Sequence, residues 1–127
     1  MNLEKVVFAF FIVLALTLNF GFFIGEIDNP DHHDAFELGA ALAVSLIATI
    51  VKFGDRSQTG AVLLATSLVA DLQLLIASLI WGYAAYATDV GVTTEVLSSV
   101  VSWSGGALLA NLVSVTLLVG ETLSIRR

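Results

Sequence analysis

Four long apolar runs, separated by short polar connections, constrain the fold of this chain more than any other feature of its sequence. A helix needs about 20 mostly apolar residues to cross the roughly 30 Å hydrocarbon core of a bilayer. None of the runs alternates polar with apolar residues, as a membrane β-strand does. We therefore predict one all-α domain, residues 1–127, with four transmembrane helices in a compact bundle. The predicted helices cover residues 6–25, 36–53, 60–86 and 96–120.

The composition supports a membrane protein and excludes several kinds of chemistry. Hydrophobic residues make up 57% of the chain and charged residues 13%, whereas soluble domains contain about 45–50% and about 25%. A soluble domain of this size could not bury so much apolar surface in one core. The chain has no cysteine, which excludes disulfides and thiolate metal sites. The first run lacks a small-residue cleavage site, so we expect a retained helix rather than a signal peptide.

The distribution of charge predicts the orientation of the helices. All five basic residues flank one side of the predicted bundle: Lys5, Lys52, Arg56, Arg126 and Arg127. Seven acidic residues flank the other side: Glu26, Asp28, Asp31, Asp34, Glu37, Asp89 and Glu95. Because Lys and Arg beside membrane helices are retained in the cytoplasm, we predict that both termini are cytoplasmic.

Asp71 is the most informative single residue. It lies about eleven residues, or roughly 16 Å, inside the third predicted helix, and an ionised carboxylate at that depth costs about 2.5–3.5 kcal/mol. No lysine, arginine or histidine lies at a comparable depth, so its partner must be a neutral group, a bound cation or a proton. Asn111 lies at a matching depth in the fourth helix, and we predict a hydrogen bond between Asp71 and Asn111. Asn19 in the first helix joins them if the helices tilt.

Other polar residues share helix faces with this pair. Ser67 and Ser78 lie on the face of Asp71, and Ser114 lies on the face of Asn111. Small polar residues also line membrane helix interfaces simply because they allow close packing. We favour that packing role for the serines and asparagines, but a functional role for Asp71, because a buried acid is a costly way to join helices. The small residues 105–107 and Ala110 indicate tight packing, either within the bundle or between subunits.

The connection between the first two helices predicts an acidic, cation-attracting surface. Its carboxylates would surround the axis of a closed oligomer as a vestibule: Asp28, Asp31, Asp34 and Glu37. His32 and His33 add possible ligands for zinc, nickel or manganese, but the spacing matches no specific metal motif. Adjacent histidines in a helix also point about 100° apart. We therefore favour a solvated loop that concentrates cations through its field.

The sequence contains no motif typical of an enzyme. It has no Walker loop, Rossmann fingerprint or HExxH helix, and its two histidines lie in one connection. We expect no enzymatic activity, no cofactor and no nucleic-acid partner.

As a whole, the chain resembles an uncharacterised family of small bacterial inner-membrane proteins. The segments that carry the resemblance are Met1-Asn2-Leu3-Glu4-Lys5, residues 17–25, Lys52-Phe53-Gly54-Asp55-Arg56, residues 68–73 and Arg126-Arg127. The resemblance implies a location in the bacterial inner membrane. It implies no activity and no role for any residue.

These observations predict a homo-oligomeric membrane protein that provides or gates a pathway for potassium, sodium or protons. Asp71 would be the intramembrane acid, Asn111 and Asn19 its neutral partners, and the outer carboxylates a field that collects cations. Two alternatives stay open. In one, the chain is a non-conducting accessory subunit of a larger membrane complex, with Asp71 paired to a basic residue of the partner. In the other, it is a proton-coupled carrier for a small solute.

Overall fold

The computed structural model of the chain describes residues 3–25, 29 and 33–126. The described residues form four α-helices: α1 (Leu3–Phe23), α2 (Ala35–Lys52), α3 (Gln58–Ala87) and α4 (Thr94–Arg126). All four are long and apolar enough to cross a membrane. The predicted all-α class and the number and order of the helices are confirmed.

Local signals set where the helices begin and end. The Asp34 carboxylate accepts a hydrogen bond from the Phe36 N–H at 2.9 Å and caps the start of α2. The Ser57 hydroxyl accepts from the Gly60 N–H at 2.9 Å and caps α3. After α1 the chain turns at Gly25, whose φ of 110° is a conformation that glycine adopts without strain. As a result, α1 ends at Phe23, before the predicted boundary.

Helix α4 continues to Arg126, beyond the predicted end at residue 120. Its 33 residues span about 50 Å, more than the hydrocarbon thickness. Membrane thickness limits the apolar part of a helix, but the backbone hydrogen bonds continue wherever side chains support them. Here Glu121 accepts a hydrogen bond from the Lys5 ammonium at 2.9 Å, which ties the extension to the start of α1.

The helices form an antiparallel ring in which each packs against its two neighbours in the chain order, and α4 packs against α1. We call the end that holds the start of α1, the α2–α3 turn and the end of α4 the basic end. The opposite end, which holds the α1–α2 and α3–α4 connections, is the acidic end. The ion pairs of Lys5 and Lys52 join these elements at the basic end.

Many of the buried residues of the bundle are small, and many of its large apolar residues lie on the outside. The buried alanines are Ala15, Ala41, Ala48, Ala70, Ala77, Ala84, Ala107 and Ala110. By contrast, Leu79 and Leu109 are 62% and 65% exposed. A water-soluble bundle would place its largest apolar side chains inside. The arrangement is typical of helices that pack closely in lipid, where small residues let backbones approach.

The α2–α3 turn holds the basic end together. Lys52 is 2% exposed, and its ammonium lies 3.2 Å from carboxylate oxygens of both Glu4 and Asp55 and 4.2 Å above the Phe8 ring. Asp55 also accepts hydrogen bonds from the N–H and the hydroxyl of Ser57 at 2.9 and 2.7 Å. These bonds to Ser57, followed by the Lys52 charge, lower the pKa of Asp55 to about 2.

Gly60 makes room for this turn, because a methyl group on its Cα would overlap the Asp55 carboxylate. We predict that Gly60→Ala lowers the free energy of unfolding by about 1–3 kcal/mol, the usual cost of overpacking. Gly39→Ala is the matched control, since its methyl would meet nothing within 4 Å and alanine favours the helix. Thermal unfolding in detergent, followed by circular dichroism, measures both variants. Equal midpoints for the two would contradict the proposed overlap.

The lowered pKa of Asp55 predicts a dependence of stability on pH. Its pKa falls from 3.8 to about 2 on folding, so the ionised carboxylate stabilises the fold above pH 3.8. This contribution is lost as the pH falls from 3.8 towards 2. We therefore expect Asp55→Ala to lower the unfolding midpoint at neutral pH, and the difference from the wild type to shrink near pH 2. Asp89→Ala, an exposed acid at the other end, controls for the change in net charge.

Candidate functional site

Polar side chains from all four helices form a band across the interior, which we call the polar layer. It consists of Asn19, Ser45, Thr49, Thr66, Ser67, Asp71, Asn111 and Ser114, and all but Thr66 are buried. Two apolar clusters flank it. One, around Phe8, Ile12 and Leu63, lies towards the basic end; the other, which includes Phe22 and Leu74, lies towards the acidic end. The polar layer is therefore enclosed in the bundle.

Asp71 lies near the midpoint of the 30-residue α3 and is 7% exposed. Both of its carboxylate oxygens accept hydrogen bonds from α2. The Ser45 hydroxyl donates to Oδ1 at 2.6 Å, and the Thr49 hydroxyl donates to Oδ2 at 2.5 Å. The Thr49 hydroxyl also lies 3.0 Å from the Ser45 carbonyl oxygen. No salt bridge among the described residues involves Asp71.

The expected hydrogen bond between Asp71 and Asn111 is wrong. Asp71 faces the α2 hydroxyls, whereas Asn111 lies at the α1–α4 interface and its Nδ2 lies 3.3 Å from the amide oxygen of Asn19. Equal depth along two helices does not fix the face that each presents. The other neutral partner predicted for Asp71, Asn19, contacts α4 instead.

Asn19 joins α1 to the backbone of α4. In the amide orientation that satisfies both of its polar atoms, its nitrogen donates to the Ser104 carbonyl oxygen at 3.0 Å. Its oxygen accepts from the Leu108 N–H at 3.0 Å. In a regular α-helix those two backbone groups bond to each other. Asn19 is fully buried, so this contact replaces water that the amide would otherwise need.

The sequence reasoning missed Ser45 and Thr49, which hold Asp71. A signal was present: Ser45, Thr49 and Lys52 recur at i, i+4 and i+7, which places them on one face of α2. All three are buried. Thr66 was also missed, and its hydroxyl lies 2.5 Å from that of the predicted site residue Ser114.

Four buried oxygen atoms have no hydrogen-bond partner within the described residues. They belong to Ser67, Gln73, Ser78 and Asn111. Two were predicted to share the inward face of Asp71, namely Ser67 and Ser78. Buried polar atoms are nearly always paired, so an unpaired one marks a place for water, an ion or a ligand. All four are oxygens of hydroxyl or amide groups, which can accept a hydrogen bond or coordinate a cation.

Two of the carboxylates predicted for the vestibule, Asp34 and Glu37, lie among the described residues of the acidic end. Asp34 caps α2, and the Glu37 carboxylate packs against Gly21 of α1. His33 is 3% exposed and its Nδ1 lies 2.5 Å from the Phe22 carbonyl oxygen near the end of α1. Asp28, Asp31 and His32 lie outside the described residues. Within the described part of the chain, no group of three or more acidic or histidine side chains is placed to hold a metal ion.

The small residues of α4 are used for packing within the bundle. The Phe23 ring of α1 lies against Gly105, and the Gln73 amide of α3 lies against Gly106. A side chain at either glycine would displace its neighbour. The alternative of a small-residue patch at a subunit boundary is thus not needed to explain these two positions.

A cavity of about 630 Å³ opens at the basic end. Charged residues of α1, the α2–α3 turn and α4 line it: Glu4, Lys5, Asp55, Arg56 and Glu121. Two of these acids, Glu4 and Asp55, also bind Lys52 at the end of the polar face of α2. The cavity and that face therefore meet at Lys52.

The hydroxyl of Thr49 can be tested without changing the shape of its side chain. We predict that Thr49→Val destabilises the bundle by about 1–2 kcal/mol, near the upper limit for hydrogen bonds between membrane helices, because the acceptor is a carboxylate. Thr49→Ser, which keeps the hydroxyl, should lower the free energy of unfolding by less than Thr49→Val does. Thr116→Val is a control, since its exposed hydroxyl bonds only within α4. Unfolding in mixed micelles measures these changes, and a neutral Thr49→Val would contradict the bond.

The family comparison covers most of this site. A family model, described as a family of unknown function (DUF6394), matches residues 32–122. This segment contains α2, α3 and most of α4, whereas Asn19 lies outside it. No curated protein and no solved structure matches the chain. The match spans more than half of the 127 residues and confirms the expected uncharacterised family: the chain belongs to the family of unknown function DUF6394.

Proposed function

We propose that this protein provides or gates a pathway for small cations across a membrane. The observation that carries the proposal is Asp71, a carboxylate near the middle of a membrane-length helix with hydroxyl partners and no basic partner among the described residues. Acids at this depth mark ion or proton pathways, because placing a charge there is costly. Its hydroxyl partners carry no charge, so nothing among them repels a cation.

The polar face of α2 supports access from the basic end. Ser45 and Thr49 contact Asp71, and Lys52 follows on the same face next to the cavity. A cation that entered the cavity would meet Glu4 and Asp55 before it reached this face. Lys52, bound to both acids, would oppose its passage by charge repulsion. In this proposal Lys52 and its two acids form the gate.

The unpaired oxygens support the continuation of the pathway towards the acidic end. Ser78 shares the face of Asp71, and the amide oxygens of Gln73 and Asn111 are also buried without a partner. Such oxygens replace parts of the hydration shell of a cation in membrane proteins. The described bundle encloses these groups, so passage requires the helices to separate locally. In the proposed function, the described bundle is therefore the closed state of the pathway.

We further propose the bacterial inner membrane as the location, with the basic end and both termini in the cytoplasm. All basic residues flank that end in the sequence, in agreement with the retention of Lys and Arg in the cytoplasm. We also propose a homo-oligomer, in which the carboxylates Asp28, Asp31, Asp34 and Glu37 attract cations to the acidic end.

The accessory-subunit alternative makes a different demand on Asp71. It requires a basic residue of another polypeptide to reach the carboxylate, but Asp71 is 7% exposed and both of its oxygens accept bonds from α2. A partner would have to separate α2 from α3. The cation pathway also requires the helices to separate locally, but a small ion needs a narrower opening than a Lys or Arg side chain of a partner does, which is why we prefer it.

Cation flux into proteoliposomes that contain the purified chain tests the proposal. Gradients of potassium, sodium and protons are applied to the wild type and to Asp71→Asn, which keeps the size and one acceptor oxygen of the side chain. We expect flux of at least one cation through the wild type and background flux through Asp71→Asn. Asp89→Asn, at an exposed site in the α3–α4 connection, should conduct as the wild type does.

Size-exclusion chromatography and thermal unfolding must show that the Asp71→Asn chains assemble and fold normally. Flux that persists in a well-folded Asp71→Asn protein would remove Asp71 from the pathway. Absence of wild-type flux in all three gradients would overturn the proposed function, and co-purification with another membrane subunit would then test the accessory alternative.

A further inference from the structure

More oxygen atoms surround Asp71 than its carboxyl group needs as hydrogen-bond partners. The two carboxylate oxygens, the hydroxyls of Ser45 and Thr49 and the Ser45 carbonyl oxygen are joined by contacts of 2.5–3.0 Å. The Ser67 hydroxyl lies one helical turn from Asp71 on the same face of α3, is fully buried and has no hydrogen-bond partner among the described residues. A protonated carboxyl would pair with one acceptor and would leave Ser67 unexplained.

The charge of the cluster indicates the valence of a ligand. Asp71 is the one ionisable side chain of the polar layer, and no described salt bridge involves it. One monovalent cation would neutralise it. A divalent cation would leave a net positive charge in an apolar interior, which is strongly unfavourable without a second acid.

The type and number of the donor atoms indicate which monovalent cation the cluster would bind. All are oxygens, and each hydroxyl can turn its hydrogen away and present a lone pair. Backbone carbonyls and hydroxyls coordinate sodium at the midplane of membrane transporters. The cluster offers six oxygens: two of the Asp71 carboxylate, the hydroxyls of Ser45, Thr49 and Ser67, and the Ser45 carbonyl oxygen. This number suits a small ion better than potassium, which requires a wider cage with more ligands.

We propose that the cluster of Asp71, Ser45, Thr49 and Ser67 is an enclosed binding site for one sodium ion. The inference rests on the proposed function and names its cation. Bound sodium replaces the hydrogen bonds that Ser45 and Thr49 donate to the carboxylate, neutralises the carboxylate and gives the Ser67 oxygen a partner. Potassium binds far more weakly at the same site.

Equilibrium binding of radioactive sodium to the purified chain in detergent tests this inference directly. We expect a stoichiometry near one per chain and no displacement by potassium at the same concentration. Binding should be lost in Asp71→Asn and strongly weakened in Ser67→Ala. Ser104→Ala is the matched control: it removes a buried hydroxyl from α4 that bonds only to the Val101 carbonyl oxygen of its own helix at 2.8 Å, and sodium binding should persist.

Each variant is first checked for the elution volume and the unfolding midpoint of the wild type. Thr49→Ser is a further, conservative variant that should retain sodium binding. The inference is overturned if the wild type binds no sodium, if a folded Asp71→Asn still binds it, if Ser67→Ala binds as the wild type does, or if potassium competes equally. Proton flux without sodium binding would refute this inference and leave the proposed function intact. Sodium binding without flux in any gradient would support this inference and overturn the proposed function.

Discussion

A carboxylate without a basic partner, enclosed between two apolar clusters, is the constraint around which this bundle is arranged. Water cannot solvate Asp71 there, so other helices must supply its donors, and α2 does so with Ser45 and Thr49. This requirement fixes the rotation of α2 against α3 more narrowly than contacts between alanines, which tolerate sliding. The same rotation brings Lys52 inward, where Glu4 and Asp55 neutralise it. One face of α2 thus carries the buried Lys52, with Glu4 and Asp55 as its partners, and also supplies the donors for Asp71 of α3.

The two halves of the ring are held by different chemistry. At the α2–α3 interface hydroxyls donate to a charge, whereas at the α1–α4 interface a neutral amide bonds to the backbone. A charged site responds to the arrival or loss of a cation, but a neutral amide does not. Movement linked to ion binding is therefore expected to separate α2 from α3 and to leave α1 and α4 together. The ion pair between Lys5 and Glu121 reinforces that fixed pair.

The sequence predicted those features that depend on membrane thickness and composition. The four helices and their order follow from apolar length, and they are confirmed; Asp71 lies near the middle of α3. Helix ends were less predictable. The end of α1 depends on the local turn at Gly25, and the extension of α4 depends on a contact with Lys5, which is distant in the sequence. The partners of Asp71 could not be predicted from depth, since contact also requires the rotation of each helix. Nearly uniform apolar surfaces give little information on rotation, and the polar face of α2 was the one strong indication.

The bonds from Asn19 to the main chain of α4 do not depend on the side chains of the residues that form them. Its acceptor and donor at Ser104 and Leu108 are main-chain groups, which every residue except proline provides in the same form. Side chains at those two positions can therefore drift during evolution without loss of these two bonds. Among the three α4 positions that Asn19 contacts, only position 111 offers a side chain with which position 19 can co-vary. Methods that find contacts through paired substitutions would therefore detect the contact with Asn111 and overlook the two bonds to the main chain.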